Sequence, residues 1–290
     1  VWSDDVRSFE VYDKVTGGLM GMFHLDLFPR DGKFKHQAMF TILGRRVKDG
    51  RALLPIASMV GNFRKPTKSQ PSLLRHSEVV TFFHEFGHLM HVVTNKARYA
   101  RFGLSGVLPD FIETPSQMLE NWAWNEEVLS IISGHYEDPS KKLPSDVLKR
   151  MIDAKLLDIG LLTLRQVFFA LIDMKYHTEA PEDTTGTYLS LFKEITGFEF
   201  TEPVTPDAGF EHLMGNYSAG YYSYLWSKVY AEDLFTRFED AGIMDEKTGL
   251  DYREKILAPG GSRDPDETCR EFLGREPNQE AFLRSIGLGD

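Results

Sequence analysis

Cysteine is nearly absent. Cys269 is the one cysteine among 290 residues, so no disulfide can close within the chain, and a reducing compartment such as the cytoplasm suits it. The lone thiol reads as an ordinary helix residue. Runs of Lys and Arg are absent too, and the formal net charge is -10. Phosphate neutralisation needs clustered cations, so the sequence argues against a nucleic-acid surface and for neutral or basic partners. No apolar run is long and clean enough to cross a bilayer. The most apolar stretch, 156–174, carries Asp158, Arg165 and Asp173 and reads as a buried helix, so no membrane partner is expected. Internal repeats, low-complexity tracts and a signal peptide are also missing. The sequence opens on Val1 rather than Met, which leaves room for a lost upstream segment and an organellar address.

What is present is an ordinary soluble composition, 42% hydrophobic and 26% charged, with length enough for a sizeable core. The first third reads as strands. "GMFHLDLFP" places Phe23, Leu25 and Leu27 on one side and His24 and Asp26 on the other, the period of a half-buried strand ended by Pro29. "HQAMFTIL" and "LLPIASMVGNF" read as two more, separated by the turn "KDGR", which together predict a small antiparallel sheet. From Ser77, taken as an N-cap, the pattern turns helical to about Asn95. Further helices are expected over 110–132, 145–176, 185–195 and 218–238, with two short ones after Asp264. The expected fold class is mainly α with a small antiparallel sheet, strand-rich over 1–65 and helical over 77–290.

The chemistry concentrates in "FFHEFGHLMH", 82–91. His84 and His88 are four apart, so a helix stacks them on one face with both imidazoles aimed at one point, as two ligands of a zinc ion require. Glu85 lies one position round, close enough to contact a water on that metal without occupying a coordination place. Gly87 breaks a local rule, since glycine inside a helix costs about 1 kcal/mol against alanine, and broken rules cluster at functional sites. His91 lies seven residues from His84, about 10 Å along the axis, and reads as a packing residue or one that supports the ligands from behind. The metzincin extension is absent, because it needs Gly and His where the chain has His91 and Thr94. A catalytic zinc takes three protein ligands and keeps a place for water. The third is expected from "DFIETPSQMLENW", where Glu113 and Glu120 share a helix face seven residues apart. One would coordinate while the other orients an imidazole, and spacing alone does not choose between them.

At this point the sequence resembles the thimet oligopeptidase and neurolysin family of zinc peptidases. The likeness rests on "FHEFGHLMH", "DFIETPSQMLENW", "YYSYLWSKVYAEDLF" and "ILAPGGSRDPDETCREFLGREPNQEAFL", in the family's order and over nearly the whole chain. The resemblance implies a zincin-type catalytic region over 1–290, one zinc ion, Glu113 as third ligand and Glu120 behind the ligands. It implies hydrolysis of internal bonds in short peptides by a metal-activated water with Glu85 as general base.

It also implies a loop in "HLMGNYSAGYYSYLW" that meets the reacting peptide through His212, Gly215, Tyr217, Gly220, Tyr221 and Tyr224. On a helix Tyr217, Tyr221 and Tyr224 would fall at i, i+4 and i+7 and project from one side, their phenols available to an oxyanion. Tyr224 matches the family's transition-state-stabilising tyrosine, helped by Tyr221 or His212. Where relatives often carry Gly-Gly, this chain has Gly215 and Asn216, and Asn tolerates positive φ. Relatives also carry a long helical N-terminal region walling a deep channel. Its absence here raises the expectation of exposed apolar surface and of a separate chain in its place. The alternatives are a peptidyl-dipeptidase of the same family, or a non-catalytic peptide-binding module. The strand over 53–60 is a candidate for pairing with extended substrate.

Overall fold

The computed structural model describes residues 1–289. Six strands come first: β1 (Arg7–Tyr12), β2 (Leu19–Asp26), β3 (Ala38–Leu43), β4 (Arg46–Lys48), β5 (Arg51–Leu53) and β6 (Ile56–Val60). β4 and β5 form a separate hairpin whose two linking residues, Asp49 and Gly50, both have positive φ (51° and 73°), the left-handed pair that a tight hairpin turn requires.

The main sheet has the order β1-β2-β6-β3, and it is mixed rather than purely antiparallel. β6 runs parallel to β2 and antiparallel to β3. After the excursion through β3 and the hairpin, the chain returns in the direction of β2 and inserts beside it, a non-local pairing that no strand's own pattern encodes. β6 is therefore internal, with Ala57 and Met59 fully buried. Both its ladders are used, which removes the idea that substrate pairs with 53–60.

β2 departs from the expected alternation as well. Asp26, placed on the polar side by its period, is 2% exposed. Its carboxylate takes a hydrogen bond from the Trp2 indole N–H, a fork from Arg30 and an ion pair with buried Lys33. The Lys33 ammonium also donates to the carbonyls of Asp26, Phe28 and Gly61. Paired and hydrogen-bonded in this way, the charges can leave water.

The helix α1 (His76–Val93) lies across this sheet, setting Phe82, Phe86, Leu89, Val92 and Val93 against Phe23, Ala57 and Met59. Its cap is Arg75 rather than Ser77, because the Glu78 carboxylate reaches back to accept the Arg75 backbone N–H at 2.7 Å. The helix expected over 110–132 is divided into α2 (Thr114–Glu120), a 3₁₀ turn and α3 (Glu126–Ile132). Asn125 makes the break, extended at ψ 132° with its side chain accepting the Val128 N–H. The next expected helix is likewise divided into α4 (Ser145–Asp153) and α5 (Ile159–Glu179), with Asp158 left-handed between them at φ 58°.

α6 (Thr184–Thr196), α7 (Ser223–Ala241), α8 (Glu246–Tyr252), α9 (Pro265–Leu273) and α10 (Glu280–Ser285) complete the chain. α8 was not foreseen, whereas the two short helices after Asp264 were. A second core joins α2, α7, α8 and α9 through Met118, Leu234, Phe238, Tyr252 and Phe272. Cys269 sits in α9, fully buried, as an ordinary core residue. No helix among the described residues is long and apolar enough to cross a membrane.

Candidate metal centre

α1 presents His84 and His88 side by side, ring centroids 5.1 Å apart. Glu113, at the entrance to α2, lies between them. One of its carboxylate oxygens, Oε2, is 3.2 Å from His84 Nε2 and 3.0 Å from His88 Nε2. The three side chains offer ligand atoms that all lie within 4.8 Å of one another. Glu120, at the other end of α2, approaches from behind, its Oε1 2.8 Å from His84 Nδ1. Glu113 thus meets both inward nitrogens and Glu120 the outward nitrogen of one ring, a division that spacing left open. Gly87 lets this happen. A Cβ there would stand 2.7 Å from the Pro115 carbonyl oxygen and 2.6 Å from the Ser116 Cα, so only glycine lets α2 come this close to α1.

The expected helix through the three tyrosines starts later than foreseen. α7 begins at Ser223, leaving Tyr217 and Tyr221 in the preceding turns, yet the rings still converge. Tyr224 lies 4.9 Å from Tyr217, 5.1 Å from Tyr221 and 5.9 Å from His212, centroid to centroid. The Tyr217 phenol donates to Glu113 Oε1, and the Tyr221 phenol donates to Gln166 Oε1 at 3.2 Å. His84, His212, Tyr221 and Tyr224 line a common cavity of about 630 Å³. The left-handed residue of the loop is Ala219, at φ 55°, and not Asn216. Gly215 and Gly220 border the same turns, but neither has positive φ, and a Cβ would meet nothing closer than 3.8 Å and 3.4 Å respectively.

The sequence profile described as peptidase family M3 matches residues 1–288. The chain belongs to peptidase family M3. It is similar to a thimet-like oligopeptidase of Dictyostelium discoideum, 43% identical with 99% of this chain and 44% of that protein covered. It is also similar to oligopeptidase A of Escherichia coli K12, 41% identical with 99% and 43% covered. The chain therefore spans less than half the length of these relatives. Among solved structures the fold resembles a Pyrococcus furiosus carboxypeptidase, with TM-score 0.60 at 14% identity over 91% of this chain and 53% of that one. The expected mainly helical, zincin-like architecture is borne out.

Electrostatics in the M3 chain fit a cation at the His84–His88–Glu113 cluster. Burial alone would depress the His84 imidazole, but hydrogen bonds to Glu113 and Glu120 raise its pKa to about 10. Burial would likewise raise Glu113, and the two imidazoles instead hold it well below the usual carboxylate range. Two imidazole nitrogens converging on a buried carboxylate, with a second carboxylate behind, form a donor set suited to a divalent metal of borderline softness. Glu85, 8% exposed, has its carboxyl raised by burial against the lowering pull of the histidines. His91 stands apart, 1% exposed, and burial holds it neutral with a pKa of about 3.

Three contributors went unseen in the sequence. The Ser116 hydroxyl donates to Glu113 Oε2 at 3.0 Å. Lys228 Nζ lies 3.7 Å from Glu120 and 2.8 Å from Glu232. Asp173 holds the tyrosine loop from α5. Ser116, three residues after Glu113 in a first helical turn, carried a readable local signal. Lys228 and Asp173 act across long sequence separations and carried none.

Proposed function

We propose that the protein hydrolyses internal bonds of short peptides with one zinc ion held by His84, His88 and Glu113. The supporting observation is the approach of a single Glu113 oxygen to both imidazole Nε2 atoms, 3.2 and 3.0 Å away, with Glu85 next to them on the same helix. The relatives' own names, thimet-like oligopeptidase and oligopeptidase A, agree with peptide substrates. Zinc there would lower the pKa of a bound water and polarise the scissile carbonyl.

Glu85 takes a proton from the attacking water and delivers it to the departing amine nitrogen. Its burial moves its carboxyl toward neutrality, where a group can serve as both base and acid. Tyr224 donates to the oxyanion. Burial and Glu113 raise its pKa, so it stays a donor, and it is the phenol of the three not tied to a carboxylate or amide. Neutral His212 and Tyr221 support its ring, and Tyr217 orients Glu113 beside the peptide, while Gly215 and Gly220 leave room for it. Glu120 fixes His84 by accepting from Nδ1.

Residues 1–290 act as one catalytic region, and the cytoplasm is the proposed location. Leu157, Leu161, Leu162, Leu164 and Leu171 are exposed in one stretch around α5, which supports cover by a further helical region, in the same protein or in a separate chain.

The test is cleavage of a quenched fluorescent nonapeptide by the zinc-loaded chain beside Glu85→Gln, with metal content measured in both. Internal cleavage that vanishes in the variant while zinc remains is expected. Equal cleavage by both proteins would remove Glu85 from its role. No cleavage by zinc-loaded wild type would show that a further segment or partner must complete the site.

A further inference from the structure

Asp173 lies in the middle of α5 with 1% of its surface exposed. Its two carboxylate oxygens are divided between two backbone groups of the tyrosine loop. Oδ1 accepts the Ala219 N–H at 3.0 Å and Oδ2 accepts the Tyr221 N–H at 2.9 Å. His177, one turn along α5, places Nδ1 3.1 Å from Oδ1. A buried carboxylate is costly unless hydrogen-bonded, and here the partners come from the segment that carries the site's aromatic wall.

The first of the two anchored residues adds to the case. Ala219 is held at φ 55°, a left-handed conformation that costs an alanine roughly 1–2 kcal/mol. Such a conformation persists only when its surroundings over-determine it. The two Asp173 hydrogen bonds hold its own N–H and the N–H two residues on, so its φ and ψ lie between the two anchored amides. On one side of the clamp Tyr217 reaches Glu113. On the other, the Tyr221 ring packs 5.1 Å from His212 and 5.1 Å from Tyr224.

We propose that Asp173 is a positioning residue for peptide hydrolysis, which clamps the 215–222 loop so that Tyr217, Tyr221 and Tyr224 stand in register with the metal cluster. It touches neither the peptide nor the metal site. The inference rests on the hydrolytic reading above for its effect on turnover, while the clamp itself is a property of the folded chain. Since donors to a developing oxyanion must be placed within a fraction of an ångström, loss of the clamp acts on kcat.

The experiment has two arms. Asp173→Asn replaces one accepting oxygen with a donor that faces a backbone N–H. Expected is a kcat about 100-fold lower, with KM and zinc content little changed. In that background Tyr224→Phe costs far less than it costs in the wild type, because the phenol is already misplaced. Unchanged kcat, or fully additive losses, would overturn the proposal.

The second arm is amide hydrogen exchange on the unmodified chain, which needs neither activity nor a folded variant. The Ala219 and Tyr221 amides should exchange at least about 100-fold more slowly than free amides. Exchange at the free rate would overturn the clamp even if Asp173→Asn failed to fold. Protection of both amides in a wild-type chain that cleaves nothing would retain the clamp and reject hydrolysis by this chain alone.

Discussion

Gly87 and Ser116 are in backbone contact across the α1–α2 interface, so close that a Cβ on Gly87 would stand 2.6 Å from the Ser116 Cα. That contact sets the distance between the helix carrying both histidines and the segment carrying both carboxylates. An alanine at 87 gains about 1 kcal/mol of helix propensity and loses more, because the atoms it meets are backbone. Gly87→Ala should lower stability by about 1–3 kcal/mol and weaken zinc binding by tenfold or more. Thermal unfolding with a chelator-competition titration measures both. A variant that melts higher and holds zinc as tightly would refute the close-approach argument.

Glu113 and Glu120 should separate cleanly by metal affinity. Glu113 reaches both inward nitrogens, so Glu113→Ala should abolish stoichiometric zinc at micromolar metal. Within the metal cluster Glu120 meets only His84, at Nδ1, so Glu120→Ala should bind zinc about 10–100-fold more weakly and recover at higher metal concentration. Equal losses in the two variants would mean that both carboxylates coordinate.

How far these residues were legible in the sequence follows from the range of each interaction. His84 and His88 were readable because a helix's own period brings them together. The choice between Glu113 and Glu120 was not, because it depends on where α2 begins and how closely it packs on α1. The tyrosines converge, but two of them sit in turns ahead of α7, so the helical spacing reached a correct grouping through a wrong local structure. The strands announced themselves by alternation, whereas β6 running parallel to β2 is a non-local pairing. Asp26 was misplaced because burying it depends on Trp2, Arg30 and Lys33 arriving from outside the strand.

That buried cluster predicts an acid limit to stability. Burial alone would raise the Asp26 carboxyl, but Arg30, Trp2 and Lys33 hold it well below its ordinary value of 3.8. A depressed folded pKa means that the unfolded chain binds the proton more readily. The stabilisation is therefore complete above about pH 4 and drains away as pH falls through the folded value. Asp26→Asn should cost about 3–5 kcal/mol at neutral pH, because it leaves the buried Lys33 ammonium uncompensated. It should also flatten the acid side of the stability curve. Urea unfolding between pH 2 and 7 reads both effects, and a variant as acid-sensitive as the wild type would place the acid limit elsewhere.

Tyr224 offers the sharpest separation of chemistry from binding. On the proposed mechanism its phenol donor matters only once negative charge has developed on the substrate oxygen, so Tyr224→Phe should lower kcat about 10²–10³-fold with KM and zinc content nearly unchanged. Tyr221→Phe removes a hydroxyl already given to Gln166, and its loss should be several times smaller. Tyr217→Phe frees Glu113 Oε1 from its phenol and should weaken zinc binding alongside turnover. Steady-state kinetics on one fluorescent peptide, with metal content measured for each variant, distinguishes the three. If Tyr224→Phe raised KM and spared kcat, the phenol would be gripping the ground-state peptide, and the oxyanion donor would have to be sought at His212 or Tyr217.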